Sequence, residues 1–528
     1  MIKGRLNLIF FSLILFSALI FWRLFSLQVV QGDYWRALAQ GLNFLNFKET
    51  VERGEIFFND REPLVINKNF SLVFTSFPEL QDLDGTAEIL SQILQMPQET
   101  VSEKIKKNSL YSFVKDSLTE EEALKIKEAN IPGVHLKENR KRYFPQETMA
   151  SQAVGFTDAD FQGRYGLEEH YNDVLKEGKN LVLTLDYNVQ FRAEELLKKA
   201  GKNLKIGSGS ILVMDPNSGK ILALANFPNF DPNNYQEYAQ KGDLALFQNS
   251  ATQKIFEPGS VFKPVTMAGA LEEEKITPQT AYQDPGEIKI GGYKILNYEG
   301  RTYPGQITMT EVLEKSINTG AVFAERQLGH NLFLKYIERF GFFGRTGIDL
   351  NEIYSENKEL KKGYEINFAT ASFGQGIEIT QIQLVRAFAA IANGGRLVKP
   401  YLVDKINDKT TAPELSQPII SVKTASQLTA MLTSVVENGF SRKAKIPGYH
   451  IAGKTGTAQV PVSGKYSLDK TVQSFIGFFP AFNPQFVALV KLDNPQSNTA
   501  EYSALPVFRD LAEYIINLYQ IPPDYEIK

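Results

Sequence analysis

Three short groups of polar residues carry the chemistry this sequence offers. The first is Ser260 and Lys263, inside Phe256-Glu-Pro-Gly-Ser-Val-Phe-Lys-Pro-Val-Thr266. Pro258-Gly259 ends a loop, and the apolar run from Val261 to Leu271 predicts a helix, on which positions three apart share a face. The lysine amine then reaches the serine hydroxyl, a poor nucleophile until a neighbouring base takes its proton. An amine set among Phe256, Phe262 and Val265, and close to other cations, has its pKa pushed down toward the range of a working base. Pro264 falls in the first turn, where no intrahelical N–H is lost. The N–H groups of that turn point at the serine, ready to hold an oxyanion.

The second group is Ser316-Ile317-Asn318, after the helical run Met309 to Lys315 and before Thr319-Gly320. A hydroxyl and a carboxamide two residues apart at a helix exit can relay a proton and hold an amide. The pattern also arises at ordinary turns, as Ser355-Glu-Asn357 illustrates. The third group, Lys454-Thr455-Gly456-Thr457, follows the strand-like His450-Ile-Ala-Gly453. In an exposed strand, a lysine, two hydroxyls and a glycine that lets a substrate backbone come close form an edge able to bind a carboxylate. Each group is weak alone. Ser112 and Lys115 repeat the first spacing in a polar region, and a chain of this length gives about one or two such pairs by chance.

The elements that must position these groups begin at a membrane. From Leu6 to Trp22 the chain is almost continuously apolar, and the run extends past Arg23 to Val30, close to the roughly 20 residues that span a bilayer. Lys3 and Arg5 precede it, which by the positive-inside rule keeps the N-terminus in the cytoplasm. Arg23 can snorkel to the far interface beside Trp22. No small-x-small cleavage site follows, so the segment reads as a single-pass anchor and not a removable signal peptide.

The 528 residues exceed what one globular domain uses, so two or three domains are expected. A net charge of -3 and a pI near 6.0 give no sign of a nucleic-acid partner. With no cysteine there are no disulfides, no thiol catalysis and no cysteine metal site. His135, His170, His330 and His450 are scattered without metal-ligand spacing, so no metal is expected.

Residues 31–178 read as short mixed elements. Phe70 to Phe74 is β-rich, and two charged helical stretches follow, Gly85 to Lys107 with a break at Pro97, and Leu118 to Ala129. Glu120, Glu121 and Glu122 form a solvated helix face there. Near Leu181 the texture changes. Leu181 to Asp186 reads as a strand and Val189 to Leu204 as an amphipathic helix. Ser210 to Asp215 and Lys220 to Ala225 then form a hairpin around Pro216-Asn-Ser-Gly219. A strand, a helix and a hairpin before a long helical insertion predict an α+β domain with an antiparallel sheet. The expected organisation is a cytoplasmic tail (1–5), a transmembrane helix (6–30), an N-terminal domain (31–178), a catalytic domain (179–520) and a C-terminal tail (521–528).

Taken in order, Ser260-x-x-Lys263, Ser316-x-Asn318 and Lys454-Thr-Gly456 match the signature set of penicillin-binding proteins and class A β-lactamases. The flanks narrow this. Asn249-Ser-Ala-Thr-Gln253, Glu257-Pro-Gly-Ser260, Phe373-Gly-Gln-Gly-Ile377 with Thr380, and Gly453-Lys-Thr-Gly-Thr-Ala458 resemble class B penicillin-binding proteins. Arg53-Gly54-x-Ile56 and Gly166-Leu-Glu168 with Tyr171-Asn172 resemble that family's pedestal motifs. One departure is that Asp60-Arg61 stands two residues later than usual, after Phe58-Asn59.

The resemblance implies an elongated, membrane-anchored pedestal followed by a serine β-lactamase-like transpeptidase domain, its antiparallel sheet flanked by helices. It implies cross-linking of peptidoglycan stem peptides at D-alanyl-D-alanine through a serine acyl-enzyme, in division or elongation, and binding of β-lactams. Ser260 is then the nucleophile and Lys263 its base. Ser316 relays a proton to the leaving amine, Asn318 holds the substrate amide, and Lys454 supplies positive potential. Thr455 and Thr457 bind the terminal carboxylate on the strand that Gly456 opens, and the N–H groups of Ser260 and Thr457 form the oxyanion hole. No metal or organic cofactor is implied. The implied partner is a polytopic glycan polymerase bound through anchor and pedestal. A Ser-His-Asp hydrolase is excluded by the absence of a Gly-x-Ser-x-Gly elbow at Ser260.

The topology is testable. A reporter fused at Lys528 that works only in the cytoplasm is expected to be silent, and an active one would overturn the orientation read from Lys3 and Arg5.

Overall fold

The computed structural model describes residues 2–30, 52–107, 111–462 and 465–526. The expected start of the N-terminal domain, residues 31–51, lies outside the described residues. A helix runs over Ile2–Phe25 and continues into a π-helical turn at Ser26–Val30. Within it, Phe10–Val29 is long and apolar enough to cross a membrane, and none of that stretch is buried in the protein. An apolar helix without a packed face suits a hydrocarbon environment.

Beyond the anchor the chain forms two compact units. The first includes Asn67–Tyr143, and the second comprises Arg53–Ile66 and Phe144–Lys528. In the first, the strand Tyr111–Leu118 pairs antiparallel with residues Ser71–Ser76. Helices Leu83–Leu94 and Gln98–Lys106 are separated at the expected Pro97, after Gln95 turns left-handed. Leu90, Leu94, Val101, Ile105, Val114 and Ile126 form the core. Among the three consecutive glutamates, Glu121 pairs with Lys125 at 2.6 Å, and Glu122 closes a capping box with Thr119 and pairs with Lys115 at 2.7 Å.

In the second unit the residues of the pedestal motifs meet. Arg53 donates to Glu168 Oε2 at 2.7 Å and to Asn172 Oδ1 at 3.1 Å, with Glu168 fully buried. A buried ion pair persists when its remaining donors and acceptors are satisfied, as here. The late Asp60-Arg61 forms a turn in which Asp60 Oδ1 accepts from Glu62 N at 3.0 Å. The strand Ile56–Phe57 pairs in parallel with Leu181–Leu183, so residues on both sides of the expected 178/179 boundary pack in one unit.

The centre of this unit is a five-stranded antiparallel sheet: β1 (Ser208–Met214), β2 (Ile221–Phe227), β3 (Ala452–Val462), β4 (Lys465–Phe479) and β5 (Phe486–Asp493), in the order β3-β4-β5-β1-β2. Side chains alternate across a strand. On β5, Val487 and Leu489 enter one core while Phe486, Ala488, Val490 and Leu492 enter another; on β1, Leu212 and Met214 part from Ile211 and Val213 in the same way. A sheet covered on both faces therefore reads in sequence as continuous apolar runs. Helices Tyr187–Leu204 and Ala504–Leu518 supply the second core, and Gln381–Ala392 and Val422–Glu437 the first. Against the first core lies Lys263–Glu272, buried from Lys263 to Leu271. A helix apolar all round has to be enclosed by others.

The Ser112 and Lys115 pair, in contrast, never meets as a dyad. Ser112 Oγ is buried and donates to Ile105 O at 2.9 Å, while Lys115 is committed to Glu122. Ser112→Ala is expected to leave the second-order rate of penicillin acylation unchanged. A tenfold fall, about 1.4 kcal/mol of barrier, would contradict this assignment.

Candidate active site

Sequence predicts a helix starting at Val261, but the serine lies in a 3₁₀ turn, Gly259–Phe262, that leads into the α-helix at Lys263. In 3₁₀ geometry residues three apart eclipse one another. Lys263 N accordingly bonds Ser260 O, and Lys263 Nζ lies 3.0 Å from Ser260 Oγ. A second backbone braces the turn. Gly259 N donates to Gly374 O at 2.9 Å, and a Cβ on Gly374 would sit 2.1 Å from Gly259 O. The Phe373–Ile377 stretch thus needs glycine where it touches the serine turn.

Lys263 is fully buried. Its Nζ donates to Ser316 O at 2.6 Å and Asn318 Oδ1 at 2.8 Å, and lies 3.2 Å from Ser316 Oγ. A neutral amine has two N–H bonds and one lone pair. The carbonyl and carboxamide oxygens can only accept, so they take the two N–H bonds and leave the lone pair for a hydroxyl proton. Burial, followed by the neighbouring Lys454 charge, holds the Lys263 pKa well below its ordinary value.

Ser316 sits between the helices Met309–Glu314 and Asn318–Leu328 and has a left-handed backbone, φ +53°. Non-glycine residues seldom adopt this conformation, and it recurs at functional sites. Its carbonyl and hydroxyl both reach Lys263, and its Oγ also accepts from Lys454 Nζ at 2.9 Å. The hydroxyl thus bridges two lysines. Asn318 presents Oδ1 to Lys263 and donates through Nδ2 to Leu296 O at 2.9 Å.

Lys454, Thr455, Gly456 and Thr457 lie on β3, an edge strand of the sheet, as sequence predicts. Lys454 and Gly456 are buried, and Thr455 and Thr457 are half-buried. Two expectations change. A Cβ on Gly456 would meet Ser474 Oγ at 2.7 Å, Val261 Cγ1 at 2.9 Å and Pro258 O at 3.0 Å, so this glycine admits the protein's own serine turn and not a substrate backbone. Burial also lowers the Lys454 pKa to about 7, where sequence reading treats it as permanently charged.

Sequence reasoning misses Asn297, whose Oδ1 accepts from the N–H groups of both Asn318 and Thr319. Nothing in its spacing marks it, because the contact is made by a hairpin that returns the chain to the site.

Residues 209–513 match the penicillin binding protein transpeptidase domain, and residues 48–206 match the penicillin-binding protein dimerisation domain. The chain belongs to the class B penicillin-binding proteins. Among its relatives is stage V sporulation protein D of Bacillus subtilis, 33% identical over 94% of this chain and 82% of that protein. Peptidoglycan D,D-transpeptidase FtsI of Buchnera aphidicola is 28% identical over 99% and 96%. Among solved structures, penicillin binding protein 3 of Mycobacterium tuberculosis, in complex with aztreonam, superposes with a TM-score of 0.71 at 25% identity, covering 90% of this chain and 98% of that one. Penicillin Binding Protein 2X of Streptococcus thermophilus shares the fold, with a TM-score of 0.72 at 22% identity over 89% and 80%.

The two lysines of this family member should differ in what replaces them. Arginine keeps a charge but cannot act as a base. Lys263→Arg should lose acylation by about a thousandfold, within the 10² to 10⁴ range of general-base catalysis, while Lys454→Arg should keep a measurable part. The second-order rate of β-lactam acylation measures both, with thermal melting as the folding control. Equal losses, or a larger loss at Lys454, would reverse the roles. The pH profile carries the same signs. Acylation should fall on the acid side as Lys263 gains a proton, and on the alkaline side above about 7 as Lys454 loses one. The two apparent pKa values belong to the coupled pair.

Proposed function

We propose that this chain is a peptidoglycan D,D-transpeptidase in which Ser260 attacks the penultimate D-alanyl carbonyl of a stem peptide. The observation that carries the reading is the Lys263 amine, buried, with two oxygens placed to accept its N–H bonds and Ser260 Oγ 3.0 Å away, where the remaining lone pair can take the hydroxyl proton. As Oγ attacks, its proton passes to Lys263. The tetrahedral oxyanion is held by the N–H groups of Ser260 and Thr457, a device worth about 3 kcal/mol per donor. Collapse breaks the C–N bond. The leaving D-alanine amine takes the Ser316 hydroxyl proton, which Lys263 replaces across 3.2 Å. The acyl group stays as an ester on Ser260. An acceptor amine from a neighbouring strand then attacks, passing its proton back along the same path, and Ser260 leaves with a proton restored to Oγ.

Lys454 draws the terminal carboxylate of the stem peptide, Thr455 and Thr457 bond it, and the Asn318 side chain holds the substrate amide. A carboxamide has two N–H bonds, and one of those on Asn318 is already given to Leu296 O. The other serves the substrate. The N-terminal helix anchors the chain, with its N-terminus in the cytoplasm and the catalytic unit outside it. A polytopic glycan polymerase, docked through anchor and pedestal, supplies the strands to be linked.

Fluorescent penicillin and a D-alanyl-D-alanine peptide test the reading together. The wild-type protein should be labelled covalently and release D-alanine, and Ser260→Ala should do neither. Label retained in Ser260→Ala would place the nucleophile elsewhere.

A further inference from the structure

Two short hairpins precede the Ser316–Asn318 segment. Ala281–Gln283 pairs with Gln306–Thr308, and inside that pair Glu287–Ile290 pairs with Tyr293–Leu296. The next residue, Asn297, is 4% exposed, and every polar atom of its side chain is engaged. Oδ1 accepts from Asn318 N at 3.0 Å and Thr319 N at 3.1 Å, and lies 3.0 Å from Thr319 Oγ1. Nδ2 donates to Asp284 Oδ2 at 3.0 Å and to Arg301 O at 3.1 Å. Asp284 in turn accepts from Thr319 Oγ1 at 2.7 Å and from the backbone N–H groups of Gly286 and Tyr303, each at 3.0 Å. The orientation of the Asn297 amide is thereby fixed, since exchanging its O and N would set donors against N–H groups.

The first N–H groups of a helix have no partner within it and are usually served by an oxygen on the residue just before it. Ahead of Asn318–Leu328 that residue is Ile317, whose side chain has none. Asn297 supplies the missing acceptor from 21 residues upstream. Its neighbour Leu296 holds the Asn318 side chain through Nδ2. Two consecutive residues therefore fix both the backbone and the amide of Asn318, and the outcome is that Asn318 Oδ1 faces Lys263 Nζ at 2.8 Å. We propose that Asn297 is a positioning residue for acylation: through Asn318 it fixes the orientation of the Lys263 amine and so aims the lone pair at Ser260.

This rests on the reading of Lys263 as the base, and the experiment separates the two. The full chain in detergent micelles is assayed by stopped flow with a β-lactam over a range of pH, comparing wild type, Ser260→Ala and Asn297→Ala. Asn297→Ala should lower the first-order acylation step by about tenfold to a hundredfold, the scale of a catalytic group displaced by about 1 Å. Affinity for the non-covalent complex should change little. Its acid limb should move to lower pH, because an acceptor that favours the charged form of Lys263 is loosened. If Asn297→Ala does not fold, Asn297→Ser, too short to span both N–H groups, is judged by the same criteria. A variant acylating within about twofold of wild type with an unmoved pH profile overturns the proposal. Acylation of Ser260→Ala would instead overturn the reading of the site itself.

Discussion

Two amines are enclosed here with no carboxylate between them among the described residues. The partners of Lys263 and Lys454 are hydroxyl, carbonyl and carboxamide oxygens, and both side chains are buried. Burying an unpaired charge is costly, and the usual outcome is a group that gives up its proton. A carboxylate in the site would offset that cost and restore the charge, and the base would be lost. The site therefore depends on keeping water and acidic side chains away from two amines while leaving one face open to a peptide. Ser316 makes this possible, since its hydroxyl touches both lysines and can both accept and donate.

The rest of the fold follows from that enclosure. Lys263 opens a helix that is buried from Lys263 to Leu271, so its surroundings are fixed by packing on every side. Lys454 comes from an edge strand, which brings a row of backbone groups to the cleft. The serine turn is pressed between that strand, at Gly456, and the Phe373–Ile377 stretch, at Gly374. At those two glycines a side chain would push apart backbones that must touch. Tight packing converts small displacements into changes of amine orientation, so residues far from the cleft can govern its chemistry.

Much of this is legible in the sequence. Type, spacing and order single out Ser260 and Lys263, Ser316 and Asn318, and Lys454 to Thr457, and the structure brings them together. The hairpin of β1 and β2 follows from two apolar runs around a turn, and the helix Tyr187–Leu204 from its periodicity. What escapes is set by contacts distant in sequence. The 3₁₀ turn at Ser260 depends on Gly374, more than a hundred residues on, and Asn297 reaches Asn318 because two hairpins fold back. The role of Gly456 is hidden for the same reason, since its neighbours Pro258 and Val261 lie on another segment. The Lys454 pKa depends on complete burial, which strand alternation on an exposed edge does not foretell.

The lowered pKa of Lys454 makes ligand capture a proton-coupled event. Burial brings the Lys454 pKa in the free protein down to about 7, and an arriving carboxylate favours the charged form. Capture therefore draws a proton from solution, and its calorimetric heat varies with the ionisation enthalpy of the buffer. The unfolded chain keeps this proton up to about pH 10.4, so the lysine weakens the free fold near neutrality and does so less as pH rises toward that value. An occupied site removes part of that burden. A β-lactam whose carboxylate reaches Lys454 then raises the melting temperature most below about pH 7, where the empty site holds the charge without a partner, and less as pH rises above it.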